Sequence, residues 1–288
     1  MTALAALGPV VPATVQRKSR LPIGIILCLS FVVLVVLAAF VGPHFLATEA
    51  SIPDPLNLGA MPSVHHWLGT DELGRDVWAR VVIGAYSALL GPFIIALSGL
   101  IVSGLVGIAA GYLGGITDMV TMRVVDFMIA LPALLLTIEL VTVVQGGYWI
   151  AVLVLAVLNV QGDIRLVRGA TLAQRSLAYV EAARVVGISR WSIMYRHIAR
   201  NVITILLANC AIDFAGALVA LAGLSFLGLG APPGTPDWGL MLTAGQQILF
   251  ENPYASLGPG LAVVLLAVSV NLIGDWLYEW QSRVASGR

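Results

Sequence analysis

Residues 81–117 contain no Asp, Glu, Lys or Arg. A stretch this long and this apolar has no place on the surface of a water-soluble domain, whereas a helix crossing a bilayer needs about 20 such residues. Further charge-poor windows recur along the chain and place six crossings. They are Leu21–Val41, one within the window 81–117, Phe127–Gln145, Tyr148–Gln161, Val202–Leu227 and Ala255–Gly274. Hydrophobic residues make up 59% of the 288 and charged residues 10%, against about a quarter charged in soluble domains. The formal net charge is zero, which excludes a nucleic-acid binder built on a basic face. The expected fold class is an all-α membrane protein with six transmembrane helices. Leu21–Val41 is long for a signal-peptide core and lacks a small-x-small exit, so it reads as a retained span.

Orientation follows from the basic residues. With the N-terminus inside, every Lys and Arg except Arg75 and Arg80 falls on the cytoplasmic side, including the seven arginines between Arg165 and Arg200. The positive-inside rule therefore places both termini in the cytoplasm. The chain divides into a cytoplasmic tail (1–20), a first helix (21–41), an external segment (42–80), a five-helix core (81–280) and a cytoplasmic tail (281–288). Pro43, Pro53, Pro55 and Pro62 predict that the first part of the external segment is extended. Within the core, residues 163–200 form a long cytoplasmic loop with helical character.

In that loop Ala and long side chains favour helix up to Val186. Gly187 is placed as a helix stop, and Ser189 can cap a second helix starting at Arg190. The helix–turn–helix would leave Val185, Val186, Ile188 and Trp191 exposed unless something covers them. Two occupants fit: the groove of a partner protein, or an anionic lipid surface met through the arginines.

The pattern Glu181-Ala182-Ala183, three residues, then Gly187, followed by Arg196-His197-Ile198, resembles the EAA loop of ABC-importer permeases. Three further stretches are similar to the peptide branch of that family. They are His66-Trp67-Leu68-Gly69-Thr70-Asp71-Glu72-Leu73-Gly74-Arg75-Asp76, then Gly223–Gly230 with Pro236-Asp237-Trp238-Gly239, and Asn271–Asp275. In one place the chain departs from the family. Ala199-Arg200-Asn201 stands where a Leu-Pro-Asn is usual, which removes an enforced break before the fifth span.

The resemblance implies a type I (MetI-like) importer permease in a bacterial cytoplasmic (inner) membrane, carrying di- or oligopeptides by alternating access. Haem, nickel chelates, glutathione and opines are the other solutes of this branch. The implied partners are a homologous second permease, one or two ABC ATPase subunits that bind ATP and Mg, and an extracytoplasmic substrate-binding protein. Carried over by resemblance, Glu181, Ala182, Ala183 and Gly187 form the coupling element, flanked by Arg184, Arg190, Trp191 and His197. The chain itself has no Gly-rich phosphate loop ending in Gly-Lys-Ser/Thr, so hydrolysis falls to the partners. The external stretch Gly69–Asp76 has three readings: a self-satisfied turn, an outer gate, or a contact to the binding protein through Asp71, Glu72, Arg75 and Asp76.

Glu139 and Asp213 lie near the middle of their spans, where a charge costs at least a few kcal/mol. Each either lines the translocation path, with Asn209 as a further polar group, or pairs structurally with the other or with the companion permease. Arg123 and Asp126 are expected to pair across one helical turn. Gly107, Gly111 and Gly115 repeat at the spacing of close helix packing. Cys28, Cys210 and the His65-His66 pair lack metal-ligand spacing, so no metal site is expected. Two other classes fare worse. An intramembrane serine protease at Ser225 would need a base near the hydroxyl, and no His lies in a predicted span. A secondary transporter would show repeated spans.

Overall fold

A computed structural model describes residues 23–286, with residues 281–286 as backbone alone. Arg17, Lys18 and Arg20 of the tail, and Arg288, lie outside the described residues. The chain is helical almost throughout. In order it forms α1 (Ile23–Ser51), α2 (Val77–Leu113), α3 (Gly115–Ile129), α4 (Ala133–Val144), α5 (Gly147–Arg175), α6 (Ala178–Val185) and the single turn α7 (Arg190–Ser192). A π-helical segment, Ile193–Ile198, then leads into α8 (Ala199–Phe226), followed by α9 (Trp238–Gln247) and α10 (Tyr254–Ser286). Among the described residues five helices are long and apolar enough to cross a membrane, six if the bent pair α3–α4 is counted as one span.

The spans differ from their expected limits in ways that packing explains. The first helix does not stop at Val41 but continues through Pro43 to Ser51, where extended chain was expected. Its inner face is seated on α2: a Cβ on Gly42 would come within 2.5 Å of Val82, and Ala50 is buried. That contact carries the helix past the single backbone bond that Pro43 cannot make. The fourth span does not end at Gln161. As α5 it runs unbroken to Arg175, so the first part of the expected cytoplasmic loop is helix continuous with the membrane. The third span is kinked, with α3 and α4 meeting at 77° across Ala130–Pro132. The second begins at Val77, four residues inside the expected external segment.

Helix α2 is the axis of the fold, packing against α1, α5 and α8. At about 1.5 Å per residue its 37 residues reach about 55 Å, longer than the ~40–45 Å bilayer including headgroups. Glycines let α5 lie against it. A Cβ at Gly107 would stand 2.8 Å from Val167, and one at Gly111 2.8 Å from Thr171. Gly115 plays no part in this packing. It lies beyond the end of α2 with φ +58 and open space around its Cβ position. One apolar cluster joins α1, α2, α8, α9 and α10 through Val35, Ala85, Phe214, Trp238 and Leu266. A second, around Ile108, Val167, Ile193 and Met194, roots the loop segments at the opposite end of the bundle.

Candidate coupling surface and polar groups of the bundle

The helix–turn–helix forms where expected. Gly187 adopts φ +82, a left-handed conformation that ends α6 at no steric cost to glycine. The Ser189 hydroxyl accepts from the Ser192 N–H at 3.4 Å and caps the next turn. The π segment then passes into α8 without interruption, as the missing proline allows. One side of this unit is locked to its own chain. Val180, Ile193, Met194 and Ile198 are at most 1% exposed. The Tyr195 hydroxyl donates to the Leu105 carbonyl at 2.9 Å, and His197 Nδ1 lies 3.0 Å from the Ser192 carbonyl. Ala183 is buried on this side too, so it seats α6 on its own bundle instead of facing a partner.

The other side has no cover. Val185 is 88% exposed, Val186 79% and Trp191 69%, the last stacked on Tyr195. Glu181, Ala182, Arg184 and Arg190 are exposed beside them. The Arg184 guanidinium lies 5.2 Å above the Tyr112 ring, within cation–π range. Together with Arg175 and Arg190 it borders an open cavity of about 460 Å³. The arrangement is a rigid, apolar-tipped, basic-flanked knob.

At the far end of α2, the stretch 69–76 turns inward. Asp71 accepts from the Leu73 and Arg75 N–H groups at 2.9 and 3.0 Å, and from Arg75 Nε at 2.8 Å. Arg80 Nε stands 3.5 Å from the same carboxylate. Arg80 also donates to the carbonyls of Ala50 at 3.0 Å and Thr235 at 3.2 Å. Asp76 caps α2 through the Ala79 N–H at 2.7 Å and meets His66 Nδ1 at 2.7 Å. Gly74, with φ +79, has the Asp54 carbonyl where a Cβ would sit. Asp71, Arg75, Asp76 and Arg80 are all less than 8% exposed. Of the three readings of this stretch, the self-satisfied turn is the one that the burial and mutual pairing of Asp71, Arg75 and Asp76 support. Glu72 alone of the four is partly exposed.

Within the bundle, the Asn209 amide bridges two acids, donating to Asp163 Oδ1 at 2.6 Å and to Asp213 Oδ2 at 3.1 Å. Asp213 thus has its partners inside the chain and does not meet Glu139. Sequence reasoning misses Asp163, because it follows Gln161-Gly162 and so reads as the start of a loop. The Asn209/Asp213 spacing of four residues on one helix face is the available signal. Glu139, by contrast, is exposed on α4 with no partner among the described residues. Asp126 pairs with Arg165 at 2.5 Å, not with Arg123, and Asp118 pairs with Arg168. These bonds fasten α3 to α5. The Pro236–Gly239 stretch works through Asp237, which caps α9 and accepts from Ser87 Oγ at 3.0 Å, while Trp238 Nε1 donates to the Val81 carbonyl at 2.8 Å. Asn252 also escapes a reading of the sequence; buried, it donates to the Leu68 and Thr70 carbonyls. Ser225 is fully buried and packs under Gly230 and Gly239, the setting of a packing residue.

The chain is thus a multi-pass helical bundle with buried ion pairs at one end and an exposed, apolar-tipped knob at the other. The chain belongs to the family of binding-protein-dependent transport system inner membrane components, whose pattern it matches over residues 103–286. It is a permease of the peptide-type ABC importers. Among its relatives is the probable D,D-dipeptide transport system permease protein DdpC of Escherichia coli (strain K12), 36% identical over 261 residues, covering 89% of this chain and 86% of the relative. The glutathione transport system permease protein GsiD of Pectobacterium atrosepticum is 35% identical over 252 residues, covering 86% and 83%. The dipeptide transport system permease protein DppC of Alkalihalophilus pseudofirmus is 33% identical over 264 residues, covering 91% and 86%.

Proposed function

We propose that this chain forms half of the pathway of an importer for di- or oligopeptides, the other half being a homologous permease. The α6–α8 knob docks into one of two cytoplasmic ABC ATPase domains, which bind ATP and Mg, and an extracytoplasmic binding protein delivers the solute from outside. Both termini then lie in the cytoplasm. Glutathione, itself a small peptide, is the second reading, favoured by the relative that carries that name; haem or nickel chelates would use the same architecture.

The observation that carries the coupling role is the contrast between the two sides of the knob. Burying Val185, Val186 and Trp191 in a partner would contribute about 1.5–3 kcal/mol each, and the opposite side is already packed to near-zero exposure. Because the π segment and α8 are continuous, a displacement of the docked knob passes to α8 as movement of a rigid element. Glu181, at the exposed start of α6, is placed to engage the ATPase during that stroke.

The test is reconstitution of the chain with its companion permease, ATPases and binding protein in vesicles, read as ATP-dependent uptake of a labelled dipeptide and of glutathione. Uptake of neither, in vesicles where the complex is assembled, would refute the peptide reading. A cysteine introduced at Ser189, in a form lacking Cys28 and Cys210, tests the orientation: modification by an impermeant reagent from outside intact cells would reverse it.

A further inference from the structure

We infer that Glu139 lines a water-filled pathway beside α4 and presents its carboxylate to a cationic group of the passing solute. The inference rests on the permease reading and specifies what that pathway offers the solute. Two independent observations meet at α4. The first is the acid itself. Asp213 and Asp163 are satisfied by Asn209, whereas Glu139 has neither an ion pair nor a hydrogen-bond partner among the described residues and is exposed. A carboxylate at membrane depth facing acyl chains costs at least a few kcal/mol, so the Glu139 carboxylate itself is not set against lipid. Thr142, three residues on, is also exposed, its hydroxyl donating to the Ile138 carbonyl at 2.7 Å, and the exposed Leu135 and Val143 flank Glu139 on the same face.

The second observation is the helix break. Between α3 and α4 the backbone leaves the helix at Ala130–Pro132 and turns by 77°, and Ala130 and Pro132 are exposed. Non-helical backbone at membrane depth persists only where protein covers it or where it borders water. Broken helices of this kind flank solute sites in other transport folds. Glu139 stands seven residues beyond Pro132, about 10 Å along the helix. The unpaired acid and the opened backbone thus lie on one side of α4, about two turns apart. A cation is the complementary guest, and a peptide brings one in its terminal ammonium.

The test uses the assembled transporter in vesicles. Glu139→Cys and Thr142→Cys, in a chain with Cys28 and Cys210 replaced by Ser, are treated with a charged methanethiosulfonate reagent and, separately, with a lipophilic maleimide. The charged reagent should modify both positions, and excess dipeptide should slow it. Glu139→Gln should lower uptake of a dipeptide with a free amino end about tenfold or more, the share of one charge-assisted hydrogen bond, and leave uptake of its N-acetylated form unchanged. Modification by the lipophilic reagent alone, in vesicles that still take up dipeptide through the wild-type complex, would overturn the inference and leave the permease reading standing. So would loss of the companion permease from the Glu139→Gln complex, which would mark an ion pair between subunits. Absence of ATP-driven uptake by the wild-type complex would overturn both.

Discussion

Replacing Asp71 with Ala removes the one carboxylate that lies between two buried guanidinium groups. Arg75 and Arg80 are 7% and 4% exposed, and the four N–H groups directed at Asp71 lie between 2.8 and 3.5 Å from it. Removing one partner of a buried ion pair costs about 3–5 kcal/mol, because the remaining charge stays buried without compensation. If that loss falls mainly on the unfolding barrier, the half-life for inactivation shortens about 100-fold or more, at 1.4 kcal/mol per factor of ten. The assay is residual companion-permease association after timed incubation of the detergent-solubilised complex at a fixed temperature. Adding Arg75→Met should recover part of the loss, giving a coupling of about 0.5–3 kcal/mol in the double-mutant cycle. In surviving complex, binding-protein affinity should be unchanged. An unaltered half-life together with lost binding-protein affinity would refute the argument and show that the stretch is an outward contact after all.

Three other substitutions separate the roles of the knob, its hinge and the bundle. Trp191→Ala should weaken ATPase association by about 2 kcal/mol or more, the range of a central aromatic anchor, without changing the thermal half-life of the permease pair; co-purification with the ATPases measures it. Gly187→Ala meets no neighbour, since its Cβ position is open, but it must hold φ +82 at about 1–2 kcal/mol. It should therefore reduce uptake per ATP hydrolysed while the chain still assembles. Asn209→Leu leaves Asp163 and Asp213 without their bridge and should destabilise the pair of permeases by about 1–3 kcal/mol, read as inactivation half-life.

The sequence shows where the apolar segments lie because periodic absence of charge is a local property. It also locates the α6 stop, since Gly187 and Ser189 act on their own neighbours. It does not show where helices end when a distant surface decides. Ser51 is reached because α1 rests on α2, and Arg175 because Gly107 and Gly111 admit α5 along its length. The acids divide the same way. Asp213 and Glu139 look alike as single charges in apolar runs, and only the partner Asn209 and the approach of Asp163 from another helix tell them apart. The ion pair of Asp126 goes to Arg165 and not to Arg123 for a similar reason: a candidate three residues away is visible in the sequence, and one on α5 is not.

Arg80 has a consequence for how the two faces of this protein can move. A single side chain reaches the end of α1 at Ala50, the Asp71 carboxylate and the segment before α9 at Thr235. Drawing any one of these away from the others strands a buried positive charge. Conformational change at this face therefore carries the three as one plate. A stroke passed from the knob through α8 must leave these three attachments together.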